Sequence, residues 1–305
     1  MRFLAALGLV LLSGCGGSTL HASRSSAPPD TSSIKVPYFQ HIVVIVLENK
    51  GYTDIIGSRE APYINELAKT SGLAKRYYAI RHPSLPNYLA LTGGSTFGVD
   101  SDCTDCHVTG SAGLVDNLEE AGLSWKAYLE GMPSPCFQDS SAGEYVKKHN
   151  PFLYYDAITG NHSRCSNVVP LSQLYTDLRA QQLPNFAWIS PDLCHDMHEC
   201  DIKQGDTFLS RLVPQILKEL GPKGVLFLTF DEADNGSTEG CCQKASGGHV
   251  VTIVAGAMVR PGTVSDVLYD HYSLLRTIED AWRLPLLGDS ACSCTQAMSA
   301  FFNGR

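Results

Sequence analysis

Four continuous apolar runs constrain this chain more than anything else in it. His41-Ile-Val-Val-Ile-Val-Leu47, Asn185-Phe-Ala-Trp-Ile-Ser190, Val225-Leu-Phe-Leu-Thr-Phe230 and Val250–Ala255 are rich in β-branched and aromatic residues. None alternates apolar and polar as a half-exposed strand would, so each reads as a strand buried on both faces. Helix-like stretches lie among them, at 62–69, 113–121, 204–220 and 271–282. Strands alternating with helices predict an α/β fold with a mostly parallel central sheet. No internal repeat is visible, and one domain is expected over 38–305. The cysteine-rich region 100–170 reads as a loop-like insertion flanking the site.

The runs end alike. The first stops at Glu48-Asn49, the second at Pro191-Asp192, the third at Asp231-Glu232. In open α/β sheets, ligands bind at the carboxyl ends of the strands. Acids crowded there repel one another unless a cation neutralises them. One such acid alone is an ordinary cap or turn former; three strand ends together point to a metal site. The stretch PDLCHDMHECD adds Asp192, His195, Asp196, His198, Glu199 and Asp201. Mixed imidazole and carboxylate donors suit zinc, manganese, iron or a mixed pair better than calcium. The plainer alternative is a polar loop stapled by Cys194 and Cys200.

The segment HPSLPNYLALTGG, residues 82–94, places Ser84 between two prolines and ahead of a short apolar run. Pro86 fits only a first helical turn, and Gly93-Gly94 looks like a helix stop. Ser84 is therefore expected at a helix N-terminus, where the dipole and free N–H groups favour an anion. Serine there is either a helix cap or a nucleophile.

The N-terminus resembles an export signal. Arg2 precedes an apolar stretch from Phe3 to Leu12 that is too short to span a bilayer. Leu12-Ser13-Gly14-Cys15 resembles a bacterial lipobox, which implies a lipoprotein signal peptide over 1–14 and lipidation of Cys15. Residues 15–37, rich in Ser, Gly, Ala and Pro at their start, read as a flexible tether. The expected location is outside the cytoplasm, on a membrane facing the periplasm or cell exterior. Of the 11 cysteines, ten remain after Cys15, an even number that favours disulfides. Cys136–Cys165 and Cys194–Cys200 are natural local pairs, and a zinc site at Cys103, Cys106 and His107 is the rival. A net charge of -8 with no basic run argues against nucleic acid as a partner.

Taken together, HIVVIVLEN, HPSLPNYLALTGG, DMH, TFDEADNG and RPGT…DHYSLLRTIED resemble the bacterial phosphoesterase family of acid phosphatases and phospholipases C, over about Phe39 to Pro285. The resemblance implies the alkaline-phosphatase-like fold, a three-layer α/β/α sandwich. It also implies a hydrolase of phosphate monoesters that uses one or two divalent metal ions and a phosphoserine intermediate. By position, Glu48, Asn49, Ser84, Asp231 and Glu232 match metal ligands, with Ser84 the nucleophile. Asp196 and His198 match the family's D-M-H, His198 being a candidate for acid/base work. Asn87 matches an asparagine that contacts phosphoryl oxygens. His271 matches the family's D-H-Y, and His249 lies where related enzymes place a metal-binding histidine. His195 and Asp192 are further candidates, and Lys126, Lys148 and His149 are candidates for holding a phosphate oxygen. Tyr88 stands where a sulfatase needs arginine, which disfavours a sulfatase. The substrate is expected to be a phosphorylated small molecule or lipid. A phospholipase C-type phosphodiesterase and a non-catalytic phosphate-binding lipoprotein are the alternatives.

Overall fold

The computed structural model describes residues 36–302 except Asn235. The lipidation candidate Cys15, the signal segment and nearly all of the tether lie outside the described residues. Among the described residues eleven strands form: β1 (His41–Leu47), β2 (Gly72–Tyr78), β3 (Trp125–Leu129), β4 (Ser141–Ala142), β5 (Tyr145–Val146), β6 (Val168–Pro170), β7 (Phe186–Ser190), β8 (Gly224–Phe230), β9 (His249–Ala255), β10 (Thr263–Ser265) and β11 (Tyr269–Asp270). The central sheet runs β10-β2-β9-β8-β1-β7-β3-β6, with β11 beside β2, and β4–β5 is a separate hairpin.

The sheet is mixed but mostly parallel. β1 pairs parallel with β8 on one side and β7 on the other. All seven residues of β8 and six of seven in β1 are buried, as their unbroken apolar sequences require. Helices cover the sheet. Pro62–Thr70 and Ser172–Ala180 pack on the long helix Ile202–Leu220, and Ser84–Gly93 packs on His271–Trp282. The long helix buries Phe208, Leu209, Leu212, Val213, Ile216 and Leu220, a stripe at 3–4 residue spacing.

The mostly parallel sheet matches the expectation, with one strand running the other way, and one expectation needs correction. β9 runs antiparallel to β8 and β2. The described residues of 231–248 contain no helix to carry the chain back to the sheet's other end, so it returns beside β8 in the opposite sense. The region 100–170 is not merely a loop-like insertion: it supplies β3 and β6 to the sheet edge. Its short strands carry no long apolar run, and that hid them.

All ten cysteines among the described residues pair: 103–106, 136–165, 194–200, 241–242 and 292–294. The Cys103–Cys106 bond removes the zinc-site rival, and His107 faces Asp156 instead. No helix among the described residues is long and apolar enough to cross a membrane.

Candidate active site

Register assembles the site. Leu47 pairs with Phe230, so Glu48 and Asp231 leave the sheet at the same level on neighbouring strands. Asn49, at φ 47°, takes the left-handed conformation that asparagine tolerates better than most residues, and its N–H donates to Asp231 Oδ1 at 3.1 Å. The loop after β7 is tied in by the Glu48 N–H, which donates to the Asp196 carbonyl at 2.9 Å.

Ser84 is the first residue of its helix. Pro83 occupies the cap position, and no side chain caps this end. The helix closes at Gly94 with φ 68°, where a Cβ would lie 2.1 Å from the Leu287 carbonyl. Instead of capping, the Ser84 hydroxyl turns to the acids: its Oγ donates to Glu48 Oε2 at 3.0 Å, with Glu232 Oε1 at 3.4 Å. The Tyr88 hydroxyl, one turn on, donates to the other Glu48 oxygen. His149, whose ring stacks on Tyr88, sits between Glu48 and Asp196, with Nε2 3.2 Å from Glu48 Oε2 and Nδ1 3.2 Å from Asp196 Oδ2. The His198 ring is 6.0 Å from that of His149, and its Nδ1 faces Glu199 at 2.8 Å.

Four carboxylates of this group, Glu48, Asp196, Asp231 and Glu232, are buried. Burial together with Glu48 pushes Asp231 well above the usual carboxylate range. Burial, Glu48 and Asp102 push Glu232 up to about 8. Asp196 rises to about 6, chiefly from burial. Burial would also raise Glu48, but the His149 charge, hydrogen bonds from His149 and Tyr88, and Lys148 hold it down at about 2. Burial works against the His149 charge, yet Glu48 and Asp196 lift it to about 9. Asn49 Oδ1, Asp231 Oδ2, Asp196 Oδ2 and His149 Nε2 are buried without an aligned hydrogen-bond partner. Native proteins rarely tolerate so many orphaned polar atoms in one place. A divalent cation would satisfy them, and Glu48, His149 and Asp196 present ligand atoms within 4.8 Å of one another.

Other candidates lie elsewhere or act differently. Asn87 was expected at the phosphoryl oxygens, but its amide is saturated by backbone. Oδ1 accepts from the Ile80 and Arg81 N–H groups at 2.9 and 3.1 Å, and Nδ2 donates to the Arg81 and Pro83 carbonyls at 2.6 and 3.2 Å. It positions the loop before Ser84. Lys126, expected to hold phosphate, pairs with Asp177 at 2.6 Å, and its strand position opposite Ala187 is at the other end of the sheet. His149, also expected on phosphate, is instead enclosed by carboxylates. His271 accepts from or donates to Tyr77 at Nδ1 and meets the Asp231 carbonyl at Nε2, 2.6 Å, so it orients the strand end. His249 stacks between Tyr52 and Tyr78 and meets the Lys75 carbonyl, away from the acids. His195 and Asp192 join Glu130 in a separate, partly exposed group.

The sequence did not single out Asp102 or His82. Asp102 Oδ1 accepts from the Leu85 N–H at 3.0 Å in the first turn of the Ser84 helix, and Oδ2 pairs with Lys148 at 3.0 Å. His82 Nδ1 lies 2.6 Å from Glu232 Oε2. His82, two residues before a candidate nucleophile, was the one signal available; nothing local marks Asp102.

This sheet order, with helices on both faces, is that of the alkaline-phosphatase-like fold. A protein of the alkaline phosphatase superfamily from Vibrio parahaemolyticus matches at TM-score 0.58 and 14% identity, over 84% of this chain and 70% of that one. The profile of the phosphoesterase family matches residues 57–285, and the chain belongs to that family. It is 33% identical to a phosphatidylinositol-3-phosphatase of Mycobacterium tuberculosis over 94% of this chain and 90% of that protein. It is 30% identical to an acid phosphatase of Aspergillus niger, over 90% of this chain and 66% of that protein. The protein is thus a phosphoric ester hydrolase.

Proposed function

We propose that the chain is a metal-dependent phosphomonoesterase that works through a phosphoserine intermediate. The observation that carries this reading is the Ser84 hydroxyl, uncapped at a helix start and 3.0 Å from Glu48 among orphaned ligand atoms. Glu48, Asn49, Asp231, Glu232, Asp196 and His149, with His198 at the edge, would hold one or two divalent cations. Bound there, such a cation lowers the pKa of the serine hydroxyl and offsets the charge of the phosphoryl oxygens.

In this reading Ser84 gives up its proton toward Glu232, the more basic of its two carboxylate neighbours, and attacks phosphorus in line with the leaving alcohol. The Ser84 N–H at the helix start would face a phosphoryl oxygen; the Leu85 N–H is already taken by Asp102, and Pro86 has none. Lys148, held by Asp102, adds positive charge near the same place. His198 supplies the leaving oxygen with a proton, and water then cleaves phosphoserine. Acid quenching during turnover with labelled substrate traps phosphate on the peptide spanning 82–94; no label there, with turnover intact, removes the covalent route. Chelation abolishes activity and a divalent ion restores it; full activity in a preparation shown metal-free by elemental analysis overturns metal dependence.

A hemolytic phospholipase C of Pseudomonas aeruginosa, 23% identical over 75% of this chain, favours a diesterase as the second reading. Hydrolysis of p-nitrophenyl phosphate against p-nitrophenylphosphorylcholine separates them, and activity on neither restores the binding protein. The substrate class fits a phosphorylated small molecule or lipid, and the lipid anchor at Cys15 would set the enzyme on a membrane outside the cytoplasm. Cys15→Ala then releases the protein from membranes or leaves it unprocessed.

A further inference from the structure

A cavity of about 560 Å³ opens beside the candidate active site. Its size falls within the range of small-molecule sites, about 300–1,000 Å³. His82 forms part of its wall and, on the other side, contacts Glu232, which lies 3.4 Å from Ser84 Oγ. One imidazole–carboxylate pair thus separates the cavity from the serine. The remaining wall carries Arg81, Lys244, Tyr272 and Asp289. Lys244 pairs with Asp289. Among the described residues, the Arg81 guanidinium has one long hydrogen bond, from Nε to the His82 carbonyl at 3.4 Å, and no carboxylate within ion-pair distance. The wall therefore carries an excess of positive charge in a chain whose net charge is -8.

These walls are built, not loose. Asn87 grips the Ile80 and Arg81 N–H groups. The Ser246 N–H donates to the Ile80 carbonyl at 2.8 Å, which fastens the Lys244 loop to the Arg81 loop. The Asp289 N–H donates to the Gly94 carbonyl at 2.7 Å, at the end of the Ser84 helix. The Arg81 backbone is thus fixed while its guanidinium is left without a carboxylate, an arrangement that an incoming anion completes. Arginine pairs with phosphate through two parallel N–H bonds, which gives both strength and orientation.

We propose that this cavity receives the leaving group, and that Arg81 and Lys244 select substrates whose leaving group carries a second phosphoryl anion. The proposal rests on the phosphomonoesterase reading. The shared chemistry is a monoester to be cleaved plus a second phosphate a few bonds away, whether on a soluble polyol bisphosphate or in a lipid headgroup. Asn87 becomes a positioning residue for this selection as well as for Ser84.

The test separates binding from chemistry. Metal-loaded, full-length Ser84→Ala protein is titrated calorimetrically with inositol 1,3-bisphosphate and with inositol 3-phosphate. A second arm uses phosphatidylcholine vesicles carrying phosphatidylinositol 3-phosphate. The bisphosphate is expected to bind at least tenfold more tightly than the monophosphate, and adding Arg81→Gln and Lys244→Gln removes that preference while the melting temperature holds. A preference seen with vesicles alone assigns the anion to a lipid headgroup; one seen equally with the soluble ligand assigns it to the phosphates themselves. Equal affinity for all three ligands, or a preference that survives the double substitution, overturns the proposal. Hydrolysis is measured separately with Ser84 present. No turnover of any ligand, with the preference intact, defeats the phosphatase reading and leaves the anion pocket standing.

Discussion

Two groups of histidine and carboxylate lie at the same end of the sheet, and they differ in water. Glu48, His149 and Asp196 are buried; Glu130, Asp192 and His195 are partly exposed, the His195 side chain at 37%. Both draw on the chain just beyond β7, and both place an imidazole between two carboxylates. In the exposed group His195 Nδ1 lies 3.1 Å from Glu130 Oε2 and 3.5 Å from Asp192 Oδ1, and its ring stacks on Phe208. Solvent reaches the rim of this group and weakens its outer charges, although His195 Nδ1 itself is buried without an aligned partner and burial raises the Glu130 carboxyl. In the buried group the same residue types cannot borrow water. The unpaired atoms must be met by an added cation or lost to protonation. Donor identity alone therefore does not mark a group fitted to a cation; the depth of its burial is the difference between these two.

The comparison is open to attack, from its largest effect to its smallest. Ser84→Ala should cut turnover by several orders of magnitude while leaving the fold nearly as stable, because Ser84 makes no cap whose loss would cost about 1 kcal/mol. A rate within tenfold of wild type, in folded and metal-loaded protein, would remove the serine from the mechanism. Asp231→Asn should lower metal content, read by elemental analysis, with most activity lost and the chain still folded. His195→Ala and Glu130→Gln should leave metal content unchanged and turnover within about threefold; a loss matching that of Asp231→Asn would erase the distinction between the two groups.

A third acid sharpens the point. Glu279 is buried without an ion pair among the described residues, accepting from the Leu287 N–H and the Ser290 hydroxyl, with the Arg276 charge near enough to oppose its rise. Burial pushes it up to about 8 against those hydrogen bonds. A folded pKa above the unfolded one means that the native state binds the extra proton. Its stabilisation is complete below about 4.5 and is lost as pH rises through about 8. The slope over that window is at most about 1.4 kcal/mol per pH unit. Glu279→Gln should flatten that part of the stability–pH curve, measured by denaturant unfolding. An unchanged slope would show that Glu279 does not hold the proton.

How much was legible follows from how local each signal is. The β1 run was readable to the residue because six consecutive apolar positions after His41 need no partner to be recognised. The helix His271–Trp282 was readable for a similar reason, since Asp270 caps it and its apolar stripe is periodic. Glu48, Asp231 and Glu232 were visible as acids that end such runs. β2, with its polar Lys75-Arg76 pair, and the short β3 and β6 carried no comparable run.

By itself, then, the sequence determined the buried strands, the acids at their ends and a serine at the start of a helix, because each depends on residues close together in the chain. Only the tertiary structure decided the direction of β9, the insertion of His149 between Glu48 and Asp196, the placement of Asp102 at the Ser84 helix and the use of the Asn87 amide on backbone. Those outcomes depend on strand register and on side chains far apart in sequence meeting in the dry interior. The hydrogen-bonding demand of a buried polar atom is met by whatever packs against it, and no local pattern of residues encodes that neighbour.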